Sequence, residues 1–413
     1  MSSLINVLQV PLALYIHIPW CVKKCPYCDF NSHTLPHNDT LSKTINLDAT
    51  DQTSSIVDDH FHLYVDALIK DINDQLPLLQ GRKISSIFIG GGTPSLLPIT
   101  QYQRLFDHLK SVLLLCDDLE VTMEANPGTL EHAPFEQYLQ VGINRLSMGV
   151  QSFSDTKLEA LGRIHNANQA QMATQAAKKA GFKRVNIDLM HGLPNQSLQE
   201  ALYDIEQAHQ AGATHISWYQ LTIEPNTVFY RNTPVLPDDN DLAKIEEQGC
   251  EVLNQLGYQN YEVSAWVSAE DQQCRHNVNY WQFGDYLAIG AGAHGKITIA
   301  DDSVYNDFER GIYRFSKTRL PKDYMTYEQY PKTVGFAPIA EEDLNGEFMM
   351  NALRLTSGVP LNLYSDRTGL TTAKIKPIIK RLQQQKLLVE ADNLIQPTDL
   401  GRRYLNQVLQ AFL

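Results

Sequence analysis

LYIHIPWCVKKCPYCDFNSH, residues 14–33, begins with an apolar run, Leu14 to Ile18, that reads as a short buried strand. Directly after it, Cys21, Cys25 and Cys28 form C-x3-C-x2-C, so three of the six cysteines fall within eight residues. Cys116, Cys250 and Cys274 are scattered. Residues 1–22 carry no charge, but no basic residue precedes Lys23, and Asn6, Gln9, Pro11 and Pro19 break the apolar run. This reads as a short tail leading into a strand rather than a secretory signal. In a long chain without a signal, clustered cysteines point to a metal site or redox chemistry more than to disulfides. Two groups suit three thiolates on one loop. Zinc would need a fourth ligand, for which His17 or His33 stands near. A 4Fe–4S cluster is held by Cys thiolates, and three of them leave one iron open.

Outward from this loop, short apolar runs alternate with amphipathic ones. Strands are expected at Ile84 to Ile89, Leu119 to Glu124, Arg145 to Met148, Val185 to Met190 and His215 to Tyr219. Helical spacing appears in Phe61 to Leu79, Gln101 to Leu115, Asn168 to Ala180 and Leu198 to Ala211. Gly181 and Gly212 follow two of these runs, as helix-ending glycines do. Strand–helix alternation implies parallel βαβ units and an α/β fold. About six units are visible, fewer than the eight of a closed barrel. The expectation is an open six-unit (βα) barrel over residues 1–300, with a doubly wound sheet as the alternative.

The chain has 413 residues, enough for two or three domains at about 150 residues each. Hydrophobic residues at 43% and charged residues at 20% exclude a disordered chain. A net charge of -13 argues against broad nucleic-acid binding, which needs excess positive charge. Residues 34–59, rich in Thr, Ser, Asn and Asp, read as a surface loop insertion, and residues 301–340 as an irregular linker. Residues 341–413 show helices followed by a short LLVEADNLIQPT stretch, the pattern of a smaller winged-helix-like domain. Its basic run, KIKPIIKR at 374–381, reads as a solvated helix face.

Parallel strands bring their C-terminal ends to one mouth. Gly90-Gly91-Gly92-Thr93-Pro94 follows the second strand; Glu124 ends the third, Gln151 lies just past the fourth, and Asp188 sits on the fifth. Glycines let backbone approach a ligand, and carboxylates accept hydrogen bonds from hydroxyl or ammonium groups. His191, His215 and His294 lie near strand ends and are not taken as catalysts. Cys116 and Cys250 fall in helical patterns as inert core residues.

The cysteine spacing resembles the signature of the radical S-adenosylmethionine superfamily. The resemblance implies that the open iron of a 4Fe–4S cluster chelates S-adenosylmethionine, which one electron splits to methionine and a 5′-deoxyadenosyl radical. YIHIP, CPYC, GGGTP, MEANP, GVQSF, GRIH and NIDLMHGLP are similar to motifs of its coproporphyrinogen dehydrogenase branch over nearly the whole chain. Carried over, they imply a cofactor site made by Tyr15, Tyr27, Gly91, Gly92, Thr93, Glu124, Gln151, Arg163 and Asp188, with the cluster on Cys21, Cys25 and Cys28.

Two departures separate this chain from the oxygen-independent coproporphyrinogen III oxidases of that branch. Phe30 stands where they carry a further cysteine, and only 20 residues precede Cys21. Both point to the HemW-type haem chaperones, which bind haem and hand it to haem-requiring respiratory proteins. His276-Asn277-Val278-Asn279-Tyr280-Trp281 looks like that subfamily's HNxxYW haem motif. Imidazole is an ordinary axial ligand to haem iron, and Tyr280 and Trp281 offer flat apolar faces. Cys274 would be an alternative ligand on the same side if the segment is extended. A catalytic oxidase, and a zinc-stabilised regulator using the winged-helix-like unit, are the rival readings. Peripheral membrane contact is an expectation from the resemblance alone, and the sequence leaves homodimerisation open. The acidic composition and the lack of a membrane-length apolar run predict a cytoplasmic protein.

Overall fold

The computed structural model describes residues 5–35, 51–128, 134–300, 309–326 and 332–413, with backbone only for 51–59. Six parallel strands follow in sequence and in space: β1 (Leu12–Ile18), β2 (Ile84–Gly91), β3 (Leu115–Ala125), β4 (Arg145–Gln151), β5 (Arg184–His191) and β6 (His215–Gln220). Each contains its expected run. β1 and β2 are near-continuous buried apolar stretches, as strands covered on both faces are. The helices between them are α1 (Asp51–Gln75), α2 (Ile99–Val112), α3 (Phe135–Val141), α4 (Asp155–Ala160), α5 (Ala167–Lys179) and α6 (Leu198–Gln210). Asn166 and Ser197 start α5 and α6 with capping boxes, each side chain bonding the third helical amide while Gln169 and Glu200 bond back.

The sheet extends beyond the six units. β7 (Tyr258–Glu262) and β8 (Ala265–Ser268) form an antiparallel hairpin against β6. β9 (Asp285–Ile289) lies parallel to β1, and β10 (His294–Ile299), β11 (Gly311–Lys317) and β12 (Thr333–Pro338) continue antiparallel from it. The order β12-β11-β10-β9-β1-β2-β3-β4-β5-β6-β8-β7 is one open, mixed sheet of 12 strands.

Three expectations need correction. The described part of residues 301–340 is not an irregular linker: 311–317 and 333–338 are strands, the first tied to α1 by the buried pair Lys317–Asp71 at 2.7 Å. The expected barrel boundary at 300 therefore falls inside the sheet. Of the 34–59 surface loop, 36–50 lies outside the described residues, and 51–59 is the first part of α1, which begins before Phe61. Cys116 is the second residue of β3, not helical; Cys250 is helical, in α8 (Asp239–Gln255), which follows the short α7 (Val228–Arg231).

From Leu344 onward, helices Leu344–Ala352, Leu361–Thr368 and Lys376–Gln384 surround a two-stranded ladder of Val359–Pro360 with Leu394–Ile395. Ile379 and Leu382 face inward, while Lys376, Lys380 and Arg381 are exposed. This unit's core, including Phe348, Tyr364 and Leu355, is continuous with Tyr261, Cys274 and Phe283 of the sheet domain. Among the described residues no helix is long and apolar enough to cross a membrane.

Candidate functional site

The cysteine loop leaves β1 at the mouth. Trp20–Cys21 pairs in parallel with His33–Thr34, which draws the loop's two ends together. The glycine turn after β2 clamps its base: Gly92 N–H donates to the Ile18 carbonyl at 2.8 Å and Thr93 N–H to that of Trp20 at 2.7 Å. Only glycine fits here. A Cβ on Gly91, at φ +117°, would meet the His17 ring at 2.6 Å, and one on Gly92 the Trp20 carbonyl oxygen at 2.5 Å.

Cys21, Cys25 and Cys28 are half-buried, free, and line one cavity of about 480 Å³. Burial raises the thiol pKa of Cys21 and of Cys28, and the neighbouring cysteines add to it. Arg163 Nη1 donates to Cys25 Sγ at 3.7 Å, and its Nη2 to the Gly149 carbonyl at 2.5 Å. Three thiols sharing one cavity wall suit an iron–sulfur group, which is held by Cys thiolates. A zinc site is less well served. His17 bonds Tyr15 and the Asn31 carbonyl, each at 2.9 Å, and His33 bonds Asn31 at 3.2 Å. Among the described residues, no three Cys, His, Asp or Glu side chains close around a single ion.

The same cavity is lined by Tyr27, Gly91, Gly92, Thr93, Glu124, Gln151, Arg163 and Asp188. Glu124 Oε2 accepts the Gly91 N–H at 3.1 Å. Burial, with the charge of Asp188, pushes its carboxyl up to about 8. Asp188 accepts from Ser147 at 3.0 Å and Asn186 at 2.8 Å, and burial raises it as well. Two buried carboxylates facing one cavity favour a cationic occupant. Gln151 sits at φ +73° where the β4–β5 register slips, so strain re-aims its backbone at the rim.

Tyr15 does not line the cavity. Its hydroxyl is engaged by His17 Nδ1, and Phe88, which does line the cavity, stacks on its ring at 6.3 Å. The HNVNYW segment is also not where an exposed haem ligand would sit. It forms α9 (Arg275–Trp281), not an extended strand, so Cys274 and His276 do not share a face by alternation. Cys274 is buried, with its Sγ 3.6 Å from Glu120 Oε1. His276 is 2% exposed. Its ring stacks on Phe88 at 4.9 Å, and its Nε2 meets the Tyr280 hydroxyl at 3.0 Å. Burial pushes its imidazole down to about 3, so it is neutral at pH 7. Trp281 packs under the Arg354 guanidinium at 4.4 Å, at the boundary with the C-terminal unit.

Sequence reasoning missed the residues deeper in the lumen. Ser147, Asn186 and Ser217 line the cavity below Asp188, and Arg145, Tyr219 and Asn277 join them. A signal existed for some: Arg145, Ser147, Gly149 and Gln151 alternate along β4, so they share a face. His215, set aside as a catalyst, lies deeper still, bonding Asn186 at 2.6 Å and the Tyr261 hydroxyl at 3.0 Å. His191 is buried against Trp218 at 4.1 Å, and His294 is exposed at the start of β10. Glu120, on β3, is a second omission. Its carboxylate accepts the Arg275 amide at 2.9 Å and the His276 amide at 3.3 Å, and Arg184 Nη1 donates to it at 2.6 Å.

Residues 15–208 match the radical SAM superfamily model, and residues 339–404 the HemN C-terminal domain. The chain is 47% identical to the heme chaperone HemW of Haemophilus influenzae and 45% identical to that of Escherichia coli, each over 98% of both chains. Its structure superposes on the coproporphyrinogen III oxidase HemN of Escherichia coli with a TM-score of 0.76, at 21% identity, covering 98% of this chain and 90% of that one, a likeness of fold. With cysteine loop, strand-end cavity and full-length relatives in agreement, the chain belongs to the HemW family within the radical SAM superfamily.

Proposed function

We propose that this protein holds a 4Fe–4S cluster on Cys21, Cys25 and Cys28, binds S-adenosylmethionine in the adjoining cavity, and carries haem for delivery to haem-requiring proteins. The observation that carries the first two parts is the single cavity shared by the three thiols and the polar ends of β2 to β5. Bound there, the cluster would supply one electron to S-adenosylmethionine. The chain's own part is to hold and orient: the Gly91–Gly92 turn admits backbone contact, and the Glu124 and Asp188 carboxyl groups would favour a cationic group of the ligand. A volume of about 480 Å³ falls in the range of small-ligand sites. Haem is assigned to the His276–Trp281 segment beside it. The relatives' name and the His276–Trp281 motif support haem as cargo, with His276 the axial ligand once α9 releases it.

Glu124 gives this reading a pH signature. Its folded carboxyl is raised to about 8, so in the free protein it is largely protonated at pH 7. A cation beside it favours the ionised form, so binding releases a proton. S-adenosylmethionine should bind more tightly as pH rises from 7 to 9, with proton release shrinking over that range. Calorimetry in buffers of different ionisation enthalpy reads both, and Glu124→Gln should flatten the profile. A pH-independent affinity in the unmodified protein would remove Glu124 from the site.

The haem part is tested by titrating haemin into the cluster-loaded protein. A Soret band that saturates, and weakens at least about tenfold in affinity in His276→Ala, is expected. Equal affinities would exclude His276 as the ligand. The intact cofactor cavity also favours a second reading, oxidative decarboxylation of coproporphyrinogen. Steady protoporphyrinogen formation in an anaerobic assay would replace the carrier reading with that one.

A further inference from the structure

His276 is walled off from the cofactor cavity by a single ring. Phe88 lines the cavity, and His276 stacks on it at 4.9 Å and 24°. Tyr15 lies against both, 6.3 Å from Phe88 and 6.4 Å from His276, so the three rings form one packed cluster. The next residue along α9, Asn277, reaches the cavity itself. Its amide donates to the Tyr261 hydroxyl at 3.3 Å, which His215 joins at 3.0 Å, and His215 in turn meets Asn186 beside Asp188. An occupant of the cavity thus touches α9 at Asn277 and backs the ring against which His276 rests.

Neither ring nitrogen of His276 is open. Nε2 is taken by Tyr280 at 3.0 Å, and Nδ1 lies 3.5 Å from Ser86 Oγ. To reach iron the imidazole has to leave the Phe88 stack and the Tyr280 bond. Its departure empties the far side of Phe88, and packed interiors do not leave such a void unfilled. The ring, or α9 with it, has to move away from the cavity.

Resting on the assignment of His276 as haem ligand, we infer that haem coordination and cofactor binding are negatively linked through the shared wall of Phe88 and Asn277. A filled cavity holds His276 in its stack; an empty one lets it out. Linkage is reciprocal, so haem weakens the cofactor by the same factor that the cofactor weakens haem.

The experiment titrates haemin into full-length, cluster-loaded protein with and without saturating S-adenosylmethionine, in the absence of reductant. The expected result is a haemin Kd at least about 5-fold weaker with the cofactor, the low end of typical couplings. Phe88→Leu, which keeps an apolar side chain, and Asn277→Ala should each bring the ratio towards one. If S-adenosylmethionine leaves the Kd unchanged or tightens it, while His276→Ala has lost haemin, the linkage is overturned and the haem reading stands. If His276→Ala binds haemin as well as the unmodified protein, the haem reading at this residue fails and the linkage with it.

Discussion

Cys25→Ala, reconstituted anaerobically with iron and sulfide, should bind iron at background level and show none of the visible absorption of the unmodified protein. Cys116→Ala, half-buried in β3 and away from the loop, should match the unmodified protein in both. The effect is expected to be close to complete because the proposed cluster would have three protein anchors, supplied by one short loop. The loop is already pre-set: its ends are paired by Trp20–Cys21 with His33–Thr34, and its base is bonded to the glycine turn. Removing the middle thiol leaves Arg163, now donating to Cys25 Sγ, facing a gap. Retention of iron in Cys25→Ala, measured with sulfide on the same sample, would show that the loop is not the anchor.

The second large effect is on stability. Glu120→Ala should lower the free energy of unfolding by about 3–5 kcal/mol, the usual result of removing one partner of a buried ion pair. Glu120 is 2% exposed and is bonded to Arg184 at 2.6 Å. It also accepts the first amides of α9, so its loss uncaps the helix carrying His276. Burial alone would raise this carboxyl, yet Arg145 and Arg184 beside it hold it below the usual range. A folded pKa below the unfolded one stabilises fully at neutral pH, and that contribution is lost as pH falls through the folded value. Chemical denaturation at pH 7 and pH 4 should therefore show a larger gap between the unmodified protein and Glu120→Ala at pH 7. A loss under 1 kcal/mol at pH 7 would mean that α9 is held by its C-terminal contacts alone.

The parallel half of the fold was legible because its strands are short, buried apolar runs separated by helices with clear periodicity. The antiparallel flank was not. Lys296 and Lys317 are fully buried in β10 and β11, where their charges are matched by Asp285 and Asp71 from distant elements. In sequence Lys317 reads as solvent-facing and breaks the alternation of its strand, so 301–340 looked irregular. Helix α9 was hidden for a related reason. At seven residues it is too short to show a period, and its N-terminal amides are satisfied by Glu120 on β3. The cavity-lining residues at strand ends followed from their motifs and from parallel topology. What motifs did not convey was depth: Tyr15 and His276 are one ring behind the cavity wall, and Phe88 is that ring.

On the proposed reading, the three thiols and the polar strand ends serve one occupant. The most direct measurement is the electron paramagnetic resonance spectrum of the reconstituted, one-electron-reduced cluster, recorded with and without S-adenosylmethionine. A change in the spectrum on adding S-adenosylmethionine, lost or weakened in Asp188→Asn, is predicted. A fully loaded cluster whose spectrum is identical with and without saturating S-adenosylmethionine would contradict it.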